Sequence, residues 1–101
     1  MWLLVDDLRN YNAGYTARTY DQAIELLNKY EFSDGIMLDH DLGEEKTGYD
    51  VLKYIRDNDI ILPDVFQLIT SNPVGRQNMG KVLVYDLGYN TINGIIFKKG
   101  L

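Results

Sequence analysis

Gly35-Ile36-Met37-Leu38-Asp39-His40-Asp41-Leu42-Gly43 is the stretch that decides the fold. Ser33-Asp34-Gly35 breaks whatever precedes it, and Ile36-Met37-Leu38 is a continuous apolar run ended by Asp39. So short a run, without polar alternation and bounded by turn formers, predicts a strand buried on both faces, as in a parallel sheet. The same arrangement recurs along the chain. Trp2 to Val5 stops at Asp6-Asp7, Val65 to Ile69 at Thr70-Ser71-Asn72, and Ile95 to Phe97 at Lys98-Lys99. Thr16 to Thr19 admits another short strand.

Helical patterns separate these runs. Thr19 is an N-cap candidate, with Gln22 placed to complete a capping box. Ala23, Ile24, Leu26, Leu27 and Tyr30 then recur at helical spacing, predicting a helix from about Tyr20 to Tyr30. Thr47 precedes a second stripe, Val51, Leu52 and Ile55, which ends near Asp57-Asn58-Asp59. Asn72-Pro73 starts a third helix, with Met79, Val82 and Leu83 on its buried face and Gly88 just past its end. Leu8 to Tyr15 and His40 to about Lys46 are polar loops, and Leu62-Pro63-Asp64 is a turn. Asn93-Gly94 is a turn signal that admits a small hairpin with Thr91-Ile92. Strands alternating with helices predict an α/β fold: one domain over residues 1–101, with a parallel sheet of four to five strands and about three helices.

Composition narrows the function. The 101 residues are 46% hydrophobic and 25% charged, which fits one small globular domain. There is no Cys and a single His, so disulfide frameworks, thiolate nucleophiles and multi-histidine zinc sites are excluded. A formal charge of −5 argues against a broad grip on duplex nucleic acid, but leaves room for a small phosphate-bearing ligand held by local groups. The apolar runs are too short to span a membrane, and the N-terminus lacks the basic region and length of a signal peptide. A cytoplasmic location is the default expectation.

Ligands of open parallel sheets bind beyond the carboxyl ends of the strands. Asp6, Asp7, Asp39, His40, Asp41, Ser71 and Lys98 directly follow apolar runs, so the pattern gathers them on one rim. Like charges about 5 Å apart at an effective dielectric of about 20 repel by about 3 kcal/mol per pair. A hard cation removes that cost, and Asp6, Asp7 and Asp39 offer the oxygen ligands that Mg²⁺ prefers. Taken singly, each Asp is equally well a strand terminator or a cap. Asn72 and Gly75 open a helix whose first N–H groups suit an anion, with Arg76 or Asn78 adding donors; an ordinary capped helix start has the same pattern. Lys98 would neutralise a phosphate oxygen at the rim, or simply be solvated. His40 is either an acid/base group or a structural hydrogen-bonder. Arg9 pairs with the acidic cluster or reaches a ligand phosphate. The eight Tyr are mostly packing, with Tyr11 or Tyr15 placed to stack on a base.

The acidic pair, the central Asp39, the hydroxyl at Thr70 or Ser71, and Lys98 resemble the site of response-regulator receiver domains. Asp6-Asp7-Leu8-Arg9, Leu38 to Gly43, Thr47 to Asp50 and Asn72 to Met79 are more specifically similar to the ordered motifs of cyclic-phosphate processing receiver domains. The resemblance runs along nearly the whole chain. It implies an abbreviated flavodoxin-like fold and a phosphate-bearing ligand, a cyclic nucleotide or an RNA end carrying a 2′,3′-cyclic phosphate. It also implies a Mg²⁺ on Asp6, Asp7 and Asp39, with Arg9, Ser71, Asn72, Gly75, Arg76, Asn78 and Lys98 toward the ligand. His40-Asp41 and Glu44-Glu45-Lys46 replace the short apolar and Pro-containing stretch of ordinary receivers. Ile69 stands where the resemblance implies a His, which favours binding without turnover.

Three functions follow. In the first, a cyclic phosphate is bound or hydrolysed, with Asp39, His40 and Asp41 as catalytic residues. In the second, Asp39 is the phosphoacceptor of a stand-alone signalling receiver. In the third, ranked last on motif order and size, Asp39 and Asp41 are nucleophile and acid/base of a haloacid-dehalogenase-type phosphatase. Two receiver helices have no counterpart in the pattern. One apolar sheet face is therefore expected to be covered by a second subunit, by the Leu8 to Tyr15 loop, or by both.

Overall fold

Each helix starts where a side chain replaces a missing backbone acceptor. The computed structural model, which describes residues 1–100, runs β1 (Trp2–Val5), β2 (Gly14–Ala17), α1 (Tyr20–Lys29), β3 (Gly35–Leu38), α2 (Gly48–Asp57), β4 (Val65–Leu68), α3 (Pro73–Lys81), a π-helical turn (Val82–Asp86), β5 (Tyr89–Thr91) and β6 (Ile96–Lys99). Thr19 Oγ1 accepts from the Gln22 N–H at 3.1 Å. Gln22 does not close the box on Thr19; its side-chain oxygen accepts from the Arg18 N–H at 2.7 Å, one residue earlier. Thr47 and Asp50 form a full capping box on α2, and Asn72 caps α3 ahead of Pro73 at its first position.

The sheet order is β2-β1-β3-β4-β6-β5. The first four strands are parallel, in the flavodoxin-like arrangement the pattern implied. The sheet differs from the expectation beyond β4. It has six strands rather than four to five, and it is mixed, because β6 lies antiparallel to β4 with Val65 opposite Lys98. The Asn93-Gly94 signal makes a hairpin: Asn93 Oδ1 accepts from the N–H groups of both Ile95 and Ile96 at 2.9 Å. Tyr89 ties this hairpin to the body. Its buried ring meets Phe66 edge-on at 5.1 Å, and its hydroxyl donates to the Pro63 carbonyl.

The connections through α1, α2 and α3 all advance the same way across the sheet. Right-handed crossovers therefore place the three helices on one face. Alternate residues turn toward them: Leu3 and Val5, Ile36 and Leu38, Phe66 and Leu68, and Phe97 belong to the buried core with Val51, Leu52, Ile55 and Met79. The one connection running the other way, β1 to β2, is a loop, so no helix lies on the opposite face. That face carries Leu4, fully buried, beside half-buried Trp2, Met37 and Val65. The β1–β2 loop does not supply an apolar cover, since Leu8 is 79% exposed and Tyr11 49% exposed. No described helix is long and apolar enough to cross a membrane.

Candidate functional site at the β1–β3 switch point

Strands β1 and β3 are neighbours, and the chain leaves them in different directions, opening a crevice above their carboxyl ends. Asp6 and Asp39 follow these strands directly. Asp39 is fixed there because its N–H donates to the Val5 carbonyl at 2.9 Å, continuing the ladder past β3. The carboxylates of Asp6, Asp7 and Asp39 each offer an oxygen such that all three lie within 4.8 Å of one another. Asp41 and Ser71 complete the recess with Leu8 and Arg9, enclosing about 350 Å³, the lower range of small-ligand sites.

Hydrogen bonds differentiate the two buried carboxylates. Asp6 accepts from the N–H groups of Leu8 and Arg9 at 2.9 and 3.1 Å, and from Arg9 Nη1 at 2.8 Å. Burial alone would raise its pKa, but these donors outweigh burial and hold it below the usual carboxylate range. Asp39 goes the other way. Burial, then the Asp6 charge, push its pKa up, and the Thr70 hydroxyl, the His40 N–H at 2.8 Å and Arg9 offset this only in part. Two adjacent carboxylates thus differ in acidity, an arrangement common where protons or cations are exchanged.

Arg9 is the cation of the site. Its Nη1 lies 2.8 Å from Asp6 and 3.4 Å from Asp39. Arg18 positions it from behind, donating to the carbonyls of Asp6 at 3.1 Å and Arg9 at 2.7 Å and to the Asn10 side chain. Nothing in the linear pattern marks Arg18, because its partners come from a separate loop.

Of the two hydroxyls left open, Thr70 supports Asp39. It is buried, and its oxygen also accepts from the Asn72 N–H at 3.0 Å. Ser71 is exposed and lines the recess. Strand alternation carries this distinction, since Phe66, Leu68 and Thr70 share one face of β4 and its extension.

His40, in the loop between β3 and α2, packs against the first turn of α3 beside the recess. Its Nδ1 is 3.3 Å from Asp41 Oδ1 and 3.5 Å from Asn72 Nδ2. A neutral Nδ1 accepts from Asn72 and a protonated one donates to Asp41, so both states are accommodated. Gly75 seats the ring: a Cβ there would stand 2.5 Å from the imidazole carbons. This corrects the expectation that Gly75 opens the helix N-terminus to an anion. The ring covers that space, and the Gly75 N–H is already taken by Asn72 Oδ1 at 3.0 Å. Gly48 plays a comparable part at the other end of the loop. Its N–H donates to the His40 carbonyl at 2.7 Å, and a Cβ would stand 1.8 Å from the Asp39 carbonyl oxygen.

Two further expectations are corrected. Lys98 does not face this rim: its strand is reversed, so it pairs with Val65 at the opposite end of β4. Asn78 is exposed further along α3, and no side-chain hydrogen bond joins it to the rim among the described residues. Arg76 is closer, with Nη1 3.5 Å from the Thr70 carbonyl.

Comparison with known families gives one match. The family model of the cyclic-phosphate processing receiver domain covers residues 1–84. The chain belongs to that family. No curated protein and no solved structure matches. The matched span of this cyclic-phosphate processing receiver domain contains Asp6, Asp7, Arg9, Asp39, His40, Asp41 and Ser71 to Arg76, hence every residue placed around the recess. It stops before the β5–β6 hairpin, the part whose direction departs from a fifth parallel strand.

Proposed function

We propose that the recess binds a cyclic phosphate ester beside a divalent cation, and that His40 and Asp41 are the groups able to open its ring. The observation that carries this reading is the clustering of Asp6, Asp7 and Asp39 within 4.8 Å, next to Arg9 and His40, in a domain of this family. The donor set fits Mg²⁺, which takes oxygen ligands and commonly keeps several waters. Asp39 and Asp7 would hold it with Asp6 sharing its second oxygen with Arg9, and the bound ion would supply charge to a phosphoryl oxygen.

The chain's own residues then divide the work. Arg9 and Arg76 hold non-bridging phosphate oxygens, and Ser71 donates to one. His40 takes a proton from a water whose oxygen bonds to phosphorus. As the P–O bond to one ring oxygen breaks, that oxygen receives the proton and the product is a phosphate monoester. Asp41 and Asn72 keep the imidazole oriented in both protonation states. Ile69, at the end of the third parallel ladder, is apolar and contributes no second imidazole, which favours retention of the intact ligand over rapid turnover.

The phosphoacceptor reading takes second place because Lys98 lies at the far end of β4. A panel of 2′,3′-cyclic and 3′,5′-cyclic nucleotides incubated with protein and Mg²⁺ tests the proposal. Ring opening, or recovery of intact ligand with the protein, supports it. Neither, combined with acid-labile modification of Asp39 by a small phosphodonor, would replace it with the signalling reading.

A further inference from the structure

The surface beyond the rim differs in charge from the rest of the chain. Fourteen of the fifteen carboxylates precede Thr70, whereas four of the ten Lys and Arg follow it. The one later carboxylate, Asp86, is paired with Arg56 at 3.0 Å. Between α3 and the β5–β6 hairpin runs a groove of about 580 Å³, with Phe97 in its lining and with Arg76 and Lys81 but no carboxylate.

The groove ends on an irregular element. The helix widens into the π turn Val82–Asp86, a form found mostly as single turns and often at functional sites. Tyr85 on that turn lines the groove and is 81% exposed. An exposed aromatic ring beside two cations, with no competing acid, is the composition on which single-stranded nucleic acids bind: bases stack and phosphates meet the cations. Twelve helical steps separate Pro73 from Tyr85, about 18 Å at the ordinary helical rise. That is the length of several nucleotides, at about 3.4 Å each when stacked. A mononucleotide held by its phosphate at the rim does not extend so far. Arg76 joins the two regions, since it lines the groove and contacts the Thr70 carbonyl.

We infer that this groove binds single-stranded nucleic acid, carrying the body of an oligonucleotide whose phosphate terminus lies at the rim. Only the placement of the terminus rests on the proposed function; the groove itself does not. One wall of the groove, Thr91, Gly94 and Phe97, comes from the hairpin, which lies outside the family match.

The test is fluorescence anisotropy with a labelled single-stranded RNA of about ten nucleotides, within the usual site size, ending in a free 3′ hydroxyl. Binding should weaken with salt. Lys81→Glu and Tyr85→Ala should each weaken it about tenfold, the scale of one lost stacking contact, while Glu25→Gln, exposed on α1 and outside the groove, should not weaken it. Both altered groove side chains are exposed, so circular dichroism should show an unchanged fold. No binding at millimolar RNA, or equal binding by both groove variants, overturns the inference. So does binding of polyglutamate in its place with the same variant losses, which would mark an acidic protein as the partner. A separate titration with a cyclic mononucleotide reads the rim alone. Its failure with RNA binding intact rejects the proposed function and leaves the groove standing.

Discussion

Arg9 Nη1 lies 3.4 Å from Asp39 Oδ2, although thirty residues separate them in the chain. With its 2.8 Å contact to Asp6, the guanidinium sits between two buried carboxylates and stands in for a cation that the rim's charge requires. Arg9 and a divalent ion therefore compete for the same oxygens.

That competition predicts opposite effects of Arg9→Ala. Stability without metal should fall by about 1–3 kcal/mol, the range for losing a hydrogen bond to a charged group, read by urea unfolding. Mg²⁺ affinity should rise, read by calorimetry, and added Mg²⁺ should recover part of the lost stability. Weaker Mg²⁺ binding in the variant would contradict the shared-oxygen account.

Asp39→Asn should stabilise the protein at neutral pH, by about 0.5–2 kcal/mol, the common range for one stabilising substitution. The sign follows from linkage. The folded pKa of Asp39 is raised above the ordinary 3.8, so its ionisation costs stability as pH rises from 3.8 through the raised value. The advantage of Asn should be absent below that window and complete above it. Asp6, with its lowered pKa, contributes stability above the ordinary value that is lost as pH falls through the folded one. Asp6→Asn should therefore destabilise at pH 7. Equal effects of the two changes in denaturant titrations would refute this assignment.

Gly75→Ala places a methyl 2.5 Å from the His40 ring, so the imidazole must move. Overpacking of this kind costs about 1–3 kcal/mol. Because the chain has one His, its lone imidazole Hε1 resonance in the proton spectrum reports the displacement. We expect that resonance to shift and cyclic-phosphate ring opening to fall, with Mg²⁺ binding kept. An unmoved resonance would mean that the ring does not depend on this seat.

The helix-free sheet face, with Trp2, Met37 and Val65 half-buried around Leu4, predicts pairing with a second copy. Sedimentation should show a concentration-dependent dimer that Met37→Lys disrupts. A monomer at every concentration up to hundreds of micromolar would reject that cover.

The parallel half of this architecture was legible in the sequence because each strand ends abruptly on a polar residue. Val5 to Asp6 and Leu38 to Asp39 mark the ends of β1 and β3, and the caps Thr19, Thr47 and Asn72 mark the helices between strands. The direction of the last strand was not legible. Ile95-Ile96-Phe97 followed by two lysines has the same appearance whichever way it runs, and only pairing with β4 decides it. Lys98 lies away from the rim for that reason alone. The roles of Gly75 and Arg18 were hidden for another: each depends on a partner from a distant segment, His40 in one case and the Asp6 to Asn10 loop in the other.

The most direct test of the whole account is amide chemical-shift mapping of the uniformly ¹⁵N-labelled protein, titrated with a 2′,3′-cyclic nucleotide in the presence of Mg²⁺. Three segments distant in the chain should respond together at saturation, Asp6 to Arg9, Asp39 to Asp41 and Thr70 to Arg76, with Lys98 and Lys99 unmoved. Shifts confined to one of these segments, shifts centred on Lys98, or none at saturating ligand would contradict a single site shared by the ends of β1, β3 and β4.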